Sequence, residues 1–304
     1  MLVSEAAEIY LGDLGLARSE KTVRTYSTAL NHLIDFDNCD ISELDTHRIA
    51  GFCRYLGQRG PSPSTMNTYL VAVTRFLRWL VMEELLDIDL PRVQARLQDF
   101  KMRIPERIPK VPRETDVQTL LEYVRNAEPG KHRYPQSECA VVPRLRWMRD
   151  RALLETLRPT GCRLSEALSL RVRDIDGDRA LILGKGGKRR HLFWDEQAAA
   201  ALHAYLQERG TDGAVFQRQD FSNDDSSITI QHARYLIKQW CWKAGVDEIR
   251  PHQFRHRFGT RVLNATNDLA RTQDLMGHAS PTTTRIYTRL TTTELKDAFD
   301  TVSL

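Results

Sequence analysis

The sequence predicts a mainly α-helical protein of two domains with one small three-stranded antiparallel sheet, and three observations support this prediction. Apolar residues recur at three- and four-residue steps through residues 1–97, which is typical of amphipathic helices. Three short strand-like runs, 172–175, 180–183 and 189–194, follow one another, and a glycine-rich turn joins the last two. Between these regions, repeated prolines interrupt any helix in 98–113, and 304 residues suffice for two cores.

The bulk composition is that of an ordinary globular protein, with 41% hydrophobic and 28% charged residues. The chain contains no apolar run of about eighteen residues, and residues 1–5 do not begin a signal peptide. Its five cysteines are scattered without a Cys-x-x-Cys pattern, so reduced thiols are expected. We therefore expect a cytoplasmic protein without a membrane partner.

Positive charge is concentrated in two stretches, although the net charge is only +4. Residues 144–190 contain 13 Lys and Arg against 6 Asp and Glu, and 250–261 contain four Arg and no acid. A solvated basic face is one interpretation. Phosphate binding is favoured, because the same stretches carry the candidate functional residues.

Residues 1–97 are predicted to form a bundle of four short helices whose apolar stripes make the core. The first helix covers 4–14, and Ser19, Thr46 and Ser64 are predicted at the starts of the next three. The following segment, 98–113, interleaves prolines with basic residues and is predicted to be extended. It can lie as a basic strap along a phosphate backbone, or serve as a passive tether.

The second domain is predicted to cover 114–304, with Thr115 at the start of its first helix. A polar stretch at 128–143 is expected to be a surface loop or an extra element. A helix over 145–157 should stop before a proline, and a helix over 229–244 should bury the side chains of Tyr235, Leu236 and Trp240.

Three short consecutive helices are predicted near the C-terminus. Pro251 suits the first helical position, and His252 and Arg255 then project from one face. Asp268 is predicted to cap a second helix that ends at Gly277, and a third helix carries Tyr287. These helices can bring histidine, arginine and tyrosine side chains together around one anionic point.

An arginine and a glutamate three residues apart, Arg163 and Glu166, face one direction on a helix. A carboxylate that holds an arginine fixes the orientation of its planar fork, which bidentate phosphate recognition requires. An ordinary surface ion pair is the alternative.

Five motifs in this order resemble those of the tyrosine recombinases of the phage integrase family, and the layout is most similar to the Xer-type site-specific recombinases. The motifs are Thr160-Gly161-Cys162-Arg163-Leu164-Ser165-Glu166, Gly184-Lys185-Gly186, the His-x-x-Arg of His252 and Arg255, Gly277-His278, and Tyr287. The resemblance implies a SAM-like core-binding four-helix bundle at 1–97, a linker at 98–113 and a catalytic domain at 114–304 with a tail helix at 291–304.

The resemblance also implies a catalytic set that acts on one scissile phosphate: Arg163, Lys185, His252, Arg255, His278 and Tyr287. Tyr287 would be the nucleophile and Lys185, with Lys188 as its competitor, the general acid. Glu166 would orient Arg163. The sequence shows no metal-ligand cluster and no Walker loop, so neither a metal nor another cofactor is expected.

Double-stranded DNA at a recombination site is the implied partner, and a nucleoid-associated location would follow. Basic residues beside the apolar stripes or in the linker are candidate phosphate contacts: Arg24, Arg54, Arg75, Arg78, Lys101 and Arg103. The resemblance implies a homo-oligomer, a dimer on one site and a tetramer in the synapse. The apolar face of 291–304 can dock on a neighbouring subunit, giving tail exchange, or fold back on its own.

Two rival functions stay open at this point. A type IB topoisomerase-like enzyme uses a similar residue set to nick and close DNA without exchanging partners. A catalytically inactive, DNA-binding family member would bind without cutting. The target sequence and the biological setting are not readable from the chain, because base contacts and DNA shape both contribute to recognition.

Overall fold

The computed structural model describes residues 1–105, 110–127, 141–184, 189–210, 212–218 and 226–277, and only the backbone of 141–143. The chain divides into two compact units, Met1–Arg107 and Ile108–Leu304. The architecture is mainly helical with one small antiparallel sheet, as the sequence predicts. The predicted tail helix at 291–304 and most of the 128–143 stretch lie outside the described residues.

The described part of the first unit contains five α-helices and a short 3-10 turn at Ile41–Glu43. The helices are α1 (Val3–Ala17), α2 (Glu20–Phe36), α3 (Thr46–Gln58), α4 (Pro63–Met82) and α5 (Leu90–Asp99). Ser19 caps α2 as predicted, since its side chain accepts a hydrogen bond from the Thr22 N–H. The predicted caps of α3 and α4 are wrong by one and two residues, because Asp45 and Ser62 accept the bonds instead.

The predicted apolar stripes form the core of this unit. Phe52 of α3 and Phe76, Leu77 and Leu80 of α4 are fully buried. The ring of Tyr10 in α1 packs 5.5 Å from that of Phe76, which ties α1 to α4. Because this core is made of apolar residues that recur every three or four positions, the sequence pattern predicts these four helices.

The fifth helix, α5, is a correction to the predicted four-helix bundle. Asp89 caps it, its proline stands in the first turn where the missing N–H costs nothing, and Val93 and Leu97 are buried. Residues 98 and 99 therefore end a helix rather than begin an extended segment. Beyond α5, the Asn67 side-chain amide in α4 exchanges two 2.9 Å hydrogen bonds with the backbone of Met102.

The described part of the second unit contains seven α-helices around the sheet. They are α6 (Glu114–Asn126), α7 (Val141–Thr160), α8 (Leu164–Ser169), α9 (Glu196–Arg209), α10 (Ile230–Lys243), α11 (Pro251–Thr266) and α12 (Leu269–Met276). The strands are β1 (Ile175–Asp176), β2 (Arg179–Leu183) and β3 (Arg189–Phe193), antiparallel in the order β1-β2-β3. Leu153 and Leu157 of α7 lie in the core of this unit.

Several element-level predictions for the second unit are wrong in detail. Most of the predicted first strand is a 3-10 turn, Val172–Asp174, closed by an Asp174 side chain that accepts from the Arg171 N–H. Helix α7 continues through Pro159 to Thr160, because a proline in the last turn removes only one backbone bond. The Thr160 hydroxyl donates to the Thr156 carbonyl at 2.7 Å, which supports that turn.

The start of α6 and the buried face of α10 also differ from the prediction. Arg113, rather than Thr115, precedes the first turn of α6. In α10, Leu236 and Trp240 are buried as predicted, whereas Tyr235 is 58% exposed because it lies on the opposite edge of the helix.

No helix among the described residues has both the length and the apolar character needed to cross a membrane.

Candidate active site

The loop between α7 and α8 carries the first predicted catalytic arginine. Gly161 adopts the left-handed backbone conformation, with φ of 55°, and turns the chain out of α7. An added Cβ at Gly161 would lie 2.2 Å from Cδ1 of Phe258 in α11, so glycine also permits the close approach of these two helices. Arg163 then stands immediately before α8, at its N-terminus.

Glu166 holds Arg163 as the sequence predicts, through both of its carboxylate oxygens. Oε1 accepts a 2.6 Å hydrogen bond from Arg163 Nη1, and Oε2 accepts one of 2.8 Å from the Arg163 backbone N–H. The second bond satisfies an N–H at the helix start that has no intrahelical partner. The Arg163 side chain keeps 27% of its surface exposed, whereas that of Glu166 keeps 6%.

Glu166 is ionised despite its burial. Burial alone would raise the pKa of this carboxyl, but the bond from the Arg163 N–H and the charges of Arg190 and Arg163 outweigh it and hold the pKa below its ordinary value. A buried carboxylate of this kind is a fixed negative charge to which two guanidinium groups are bound.

Arg190 in β3 is the second guanidinium at Glu166, and sequence reasoning missed it. Its Nη2 donates to Glu166 Oε2 at 2.8 Å, and its Nη1 donates to the Leu275 carbonyl in the last turn of α12 at 2.7 Å. Within a run of basic residues, residue type alone does not distinguish Arg190 from its exposed neighbour Arg189. The alternation of β3 is the signal that could have found it, because alternate residues of a strand face the same side.

Helix α11 carries the predicted His-x-x-Arg motif and begins at Pro251 as the sequence predicts. Arg255 is only 5% exposed. Its Nη1 donates to the Gly161 carbonyl at 2.7 Å, and its Nη2 donates to the Met276 carbonyl at 2.5 Å. Arg255 therefore joins α11 to the loop before Arg163 and to the end of α12.

The two histidines of α11 have different surroundings. His252, one turn before Arg255, is exposed. His256 is partly buried, and burial, followed by the nearby His252 and Arg255, lowers its pKa below the ordinary value. A neutral His256 is therefore favoured at neutral pH.

Helix α12 ends as predicted. Asp268 caps its start by accepting from the Arg271 N–H, and Gly277 ends it with φ of 63°. An added Cβ at Gly277 would lie 2.6 Å from Cδ of Arg190. Arg190 and Arg255 thus both donate to carbonyls in the last turn of α12, immediately before Gly277.

The structure brings Arg163, Glu166 and Arg255 together around the Gly161–Arg163 loop, with Arg190 as an additional member. Lys185, its competitor Lys188, His278 and Tyr287 lie outside the described residues. Their roles stay predictions.

The predicted DNA contacts all lie on the surface of the first unit. Arg24, Arg54, Arg75, Arg78, Lys101 and Arg103 are all exposed. Arg24 forms an exposed ion pair of 2.8 Å with Glu20, an interaction that stabilises little and is readily exchanged for a phosphate. Exposure is compatible with phosphate contact and leaves the prediction open.

Within the parts of the chain that the structure describes, no group of three or more His, Cys, Asp or Glu side chains is placed to hold a metal ion.

Comparison with known proteins gives two family matches. Residues 139–294 match the phage integrase family, and residues 8–84 match the phage integrase N-terminal SAM-like domain. Among relatives, the tyrosine recombinase XerC of Xanthomonas campestris pv. campestris is 30% identical, covering 97% of this chain and 87% of the relative. XerA of Thermococcus kodakarensis is 28% identical, over 99% and 95% of the two chains.

The fold is also found in solved structures. The Tn1549 transposon integrase, solved in complex with transposon right end DNA, superposes with a TM-score of 0.72 at 17% identity and 100% coverage of both chains. The phage integrase family match alone covers more than half of the chain. The chain therefore belongs to the phage integrase family and is an enzyme of the tyrosine-type site-specific recombinase class.

Proposed function

We propose that this enzyme cleaves and rejoins duplex DNA at a specific site through a 3′-phosphotyrosyl intermediate, within a synaptic tetramer. The observation that carries the proposal is the placement of Arg163 and Arg255 at one loop, each held by buried partners. Two guanidinium groups held at one loop are suited to the two non-bridging oxygens of a scissile phosphate.

The proposed reaction is a reversible exchange of phosphate esters. The phenolic oxygen of Tyr287 attacks phosphorus and forms a Tyr287–3′-phosphate bond, while the bond from phosphorus to the 5′-oxygen breaks. Lys185 gives a proton to the departing 5′-oxygen, which leaves as a hydroxyl. The reverse reaction with a 5′-hydroxyl from another strand completes the exchange without ATP, because the phosphotyrosyl ester retains much of the free energy of the phosphodiester.

The arginines stabilise the charge that develops on the non-bridging oxygens. One fixed donor of this kind typically contributes about 3–4 kcal/mol to the transition state, so loss of Arg163 or Arg255 would lower the rate by at least about a hundredfold.

The histidines would act on protons and oxygens around the tyrosine. A tyrosine has an ordinary pKa near 10 and is a weak nucleophile at neutral pH. His252, whose side chain is exposed one turn before Arg255, would help to remove the phenolic proton and return it on reversal. His278 would donate a hydrogen bond to a non-bridging oxygen.

Both predicted domains would contact the DNA. The proposed division is a core-binding domain at 1–97, a basic linker at 98–113 and a catalytic domain at 114–304. The Tn1549 integrase, which has the same fold, was solved bound to DNA, and the surface arginines of α2, α3 and α4 would contact phosphates. An enzyme with this partner would work at the nucleoid, in the cytoplasm.

Exchange between two duplexes distinguishes this proposal from the topoisomerase-like alternative. Duplexes selected by the protein from a random library would be mixed as pairs of different length, and recombinant lengths would be scored on a gel. A recombinase yields products that join the ends of both parents. Relaxation of supercoils without recombinant products would favour the nicking-closing enzyme, and binding without either activity would favour an inactive family member.

A further inference from the structure

Arg190, an arginine in the sheet, connects parts of the site that are distant in sequence. We propose that Arg190 is a positioning residue for strand cleavage: it fixes Glu166, and through it Arg163, to the C-terminal turn of α12 that leads into His278. The inference rests on the proposed function, because it assigns Arg190 a task in the same site.

Arg190 is a largely buried side chain that bridges two elements, unlike a solvent-exposed surface arginine. Its side chain is 9% exposed, and its two Nη atoms donate to acceptors on different elements, the Glu166 carboxylate and the Leu275 carbonyl. The planar guanidinium fixes the angle between these two bonds, which a lysine ammonium cannot do. The positions of α8 and α12 relative to β3 are therefore coupled through one rigid group.

Glycine at 277 makes this arrangement possible. A Cβ on Gly277 would lie 2.6 Å from Cδ of Arg190, so the arginine passes against the bare backbone of the turn. The residue that follows this turn in sequence is His278.

Two predicted motifs meet at this side chain, and a third precedes it in sequence. Arg190 follows the 185–188 segment, which includes Lys185, by two residues in β3. It contacts the carboxylate that holds Arg163, and it contacts the turn before His278. Because a displacement of about 1 Å can cost about a hundredfold in rate, a residue that sets these positions affects cleavage without touching DNA.

The test compares Arg190→Ala and Arg190→Lys with a matched control, Arg179→Ala. Arg179 is also a sheet arginine paired to a carboxylate, Asp176, but that pair is exposed. Cleavage would be measured as single-turnover adduct formation on a nicked duplex carrying a selected site. DNA affinity would be measured on the same duplex without the nick.

We expect Arg190→Ala to bind DNA as the wild type does and to form adduct about a hundredfold more slowly. Arg190→Lys should recover part of the rate, and Arg179→Ala should match the wild type. Adding Glu166→Gln to Arg190→Ala should lower the rate of adduct formation little further, because both changes break the same Arg190–Glu166 contact. Wild-type cleavage by either Arg190 variant, or a fully additive double variant, would overturn the inference.

Hydrogen exchange of the free protein separates this inference from the proposed function. Peptides covering 163–170 and 269–277 should exchange faster in Arg190→Ala than in Arg179→Ala, with α1 to α5 unchanged. If the wild type forms no adduct, the proposed function fails, and exchange alone still decides whether Arg190 couples these segments. Should Arg190→Ala fail to fold, the Arg190→Lys variant decides the question in the same assays.

Discussion

Glu166 is the residue on which the candidate site depends most. The side chains of Arg163 and Arg190 and the backbone N–H of Arg163 donate to its two oxygens, and 6% of its side chain is exposed. A buried carboxylate with these partners contributes to stability and also sets the orientation of Arg163.

Glu166→Gln should lower the stability of the second unit by about 2 kcal/mol at neutral pH, since hydrogen bonds to charged groups are lost. The folded protein holds the pKa of Glu166 below its ordinary value of 4.5. The unfolded chain therefore takes up this proton at higher pH, and the stabilisation is lost as the pH falls below that value. The stability difference between wild type and variant should shrink between about pH 5 and pH 3.

Urea unfolding followed by tryptophan fluorescence would measure this difference, because four of the five tryptophans lie in the second unit. A difference that stays constant across the acid range would show that Glu166 is not the titrating group.

Single residues differ in how far the sequence could predict them. The pairing of Arg163 with Glu166 was predictable, because a separation of three residues at a helix start fixes their geometry. The Arg190–Glu166 pair spans 24 residues, and the Arg255–Gly161 contact spans 94. Such contacts depend on strand register and helix packing, which composition and spacing do not determine.

At the level of elements, the close packing of α7 and α11 at Gly161 is the feature that positions Arg255. The carbonyl of Gly161 accepts from Arg255, and its Cα faces Phe258 of the same helix. Any side chain at 161 would push α11 away from the loop that it must contact.

Gly161→Ala is therefore expected to be more destabilising than Gly245→Ala. Both glycines have positive φ, but an added Cβ at Gly245 meets nothing within 4 Å. The control, Gly245→Ala, should lower the free energy of unfolding by about 1–2 kcal/mol, because alanine is disfavoured in a left-handed backbone conformation. Gly161→Ala should lower it by about 1–3 kcal/mol more, because the added Cβ overlaps with Phe258. Equal losses in thermal unfolding would show that α11 relaxes without cost.

Deletion of the predicted tail tests the proposed exchange between subunits. A chain that ends at residue 290 should bind DNA but recombine less, because the apolar face of 291–304 can no longer dock on a neighbour. Strand exchange would be scored between two duplexes of different length. Unchanged exchange by the shortened chain would reject docking in trans.

Helix identity was predictable where apolar spacing and a cap agree, as at Ser19 and α2. Helix α5 was missed because it is short and carries a proline in its first turn, and its cap, Asp89, follows an acidic loop. The 3-10 turn at Val172–Asp174 was mistaken for a strand because its side chains suit either structure.

At the level of the whole molecule, the segment 98–113 is where the basic strap is proposed. Lys101 and Arg103 are exposed there, and the backbone of Met102 between them is bound to Asn67 of α4. These two hydrogen bonds hold the backbone between the two basic side chains against α4.

Lys101→Ala combined with Arg103→Ala should weaken DNA binding to all sequences alike. Loss of two phosphate contacts should reduce the slope of log affinity against log salt by about 2. Arg96→Ala, at an exposed arginine paired with Asp99 in α5, is the matched control. A salt slope equal to that of the wild type would support the passive tether.

Covalent attachment of the enzyme to DNA through Tyr287 is the central event of the proposed mechanism. A duplex with a nick close to the cleavage position in a selected site traps this species. The short fragment that carries the released 5′-hydroxyl diffuses away, so the strand cannot be rejoined. The wild type and the control Tyr235→Phe should both give an adduct whose DNA-linked peptide contains Tyr287 by mass spectrometry, and Tyr287→Phe should give none. An adduct formed by Tyr287→Phe, or attached through a different residue, would contradict the mechanism.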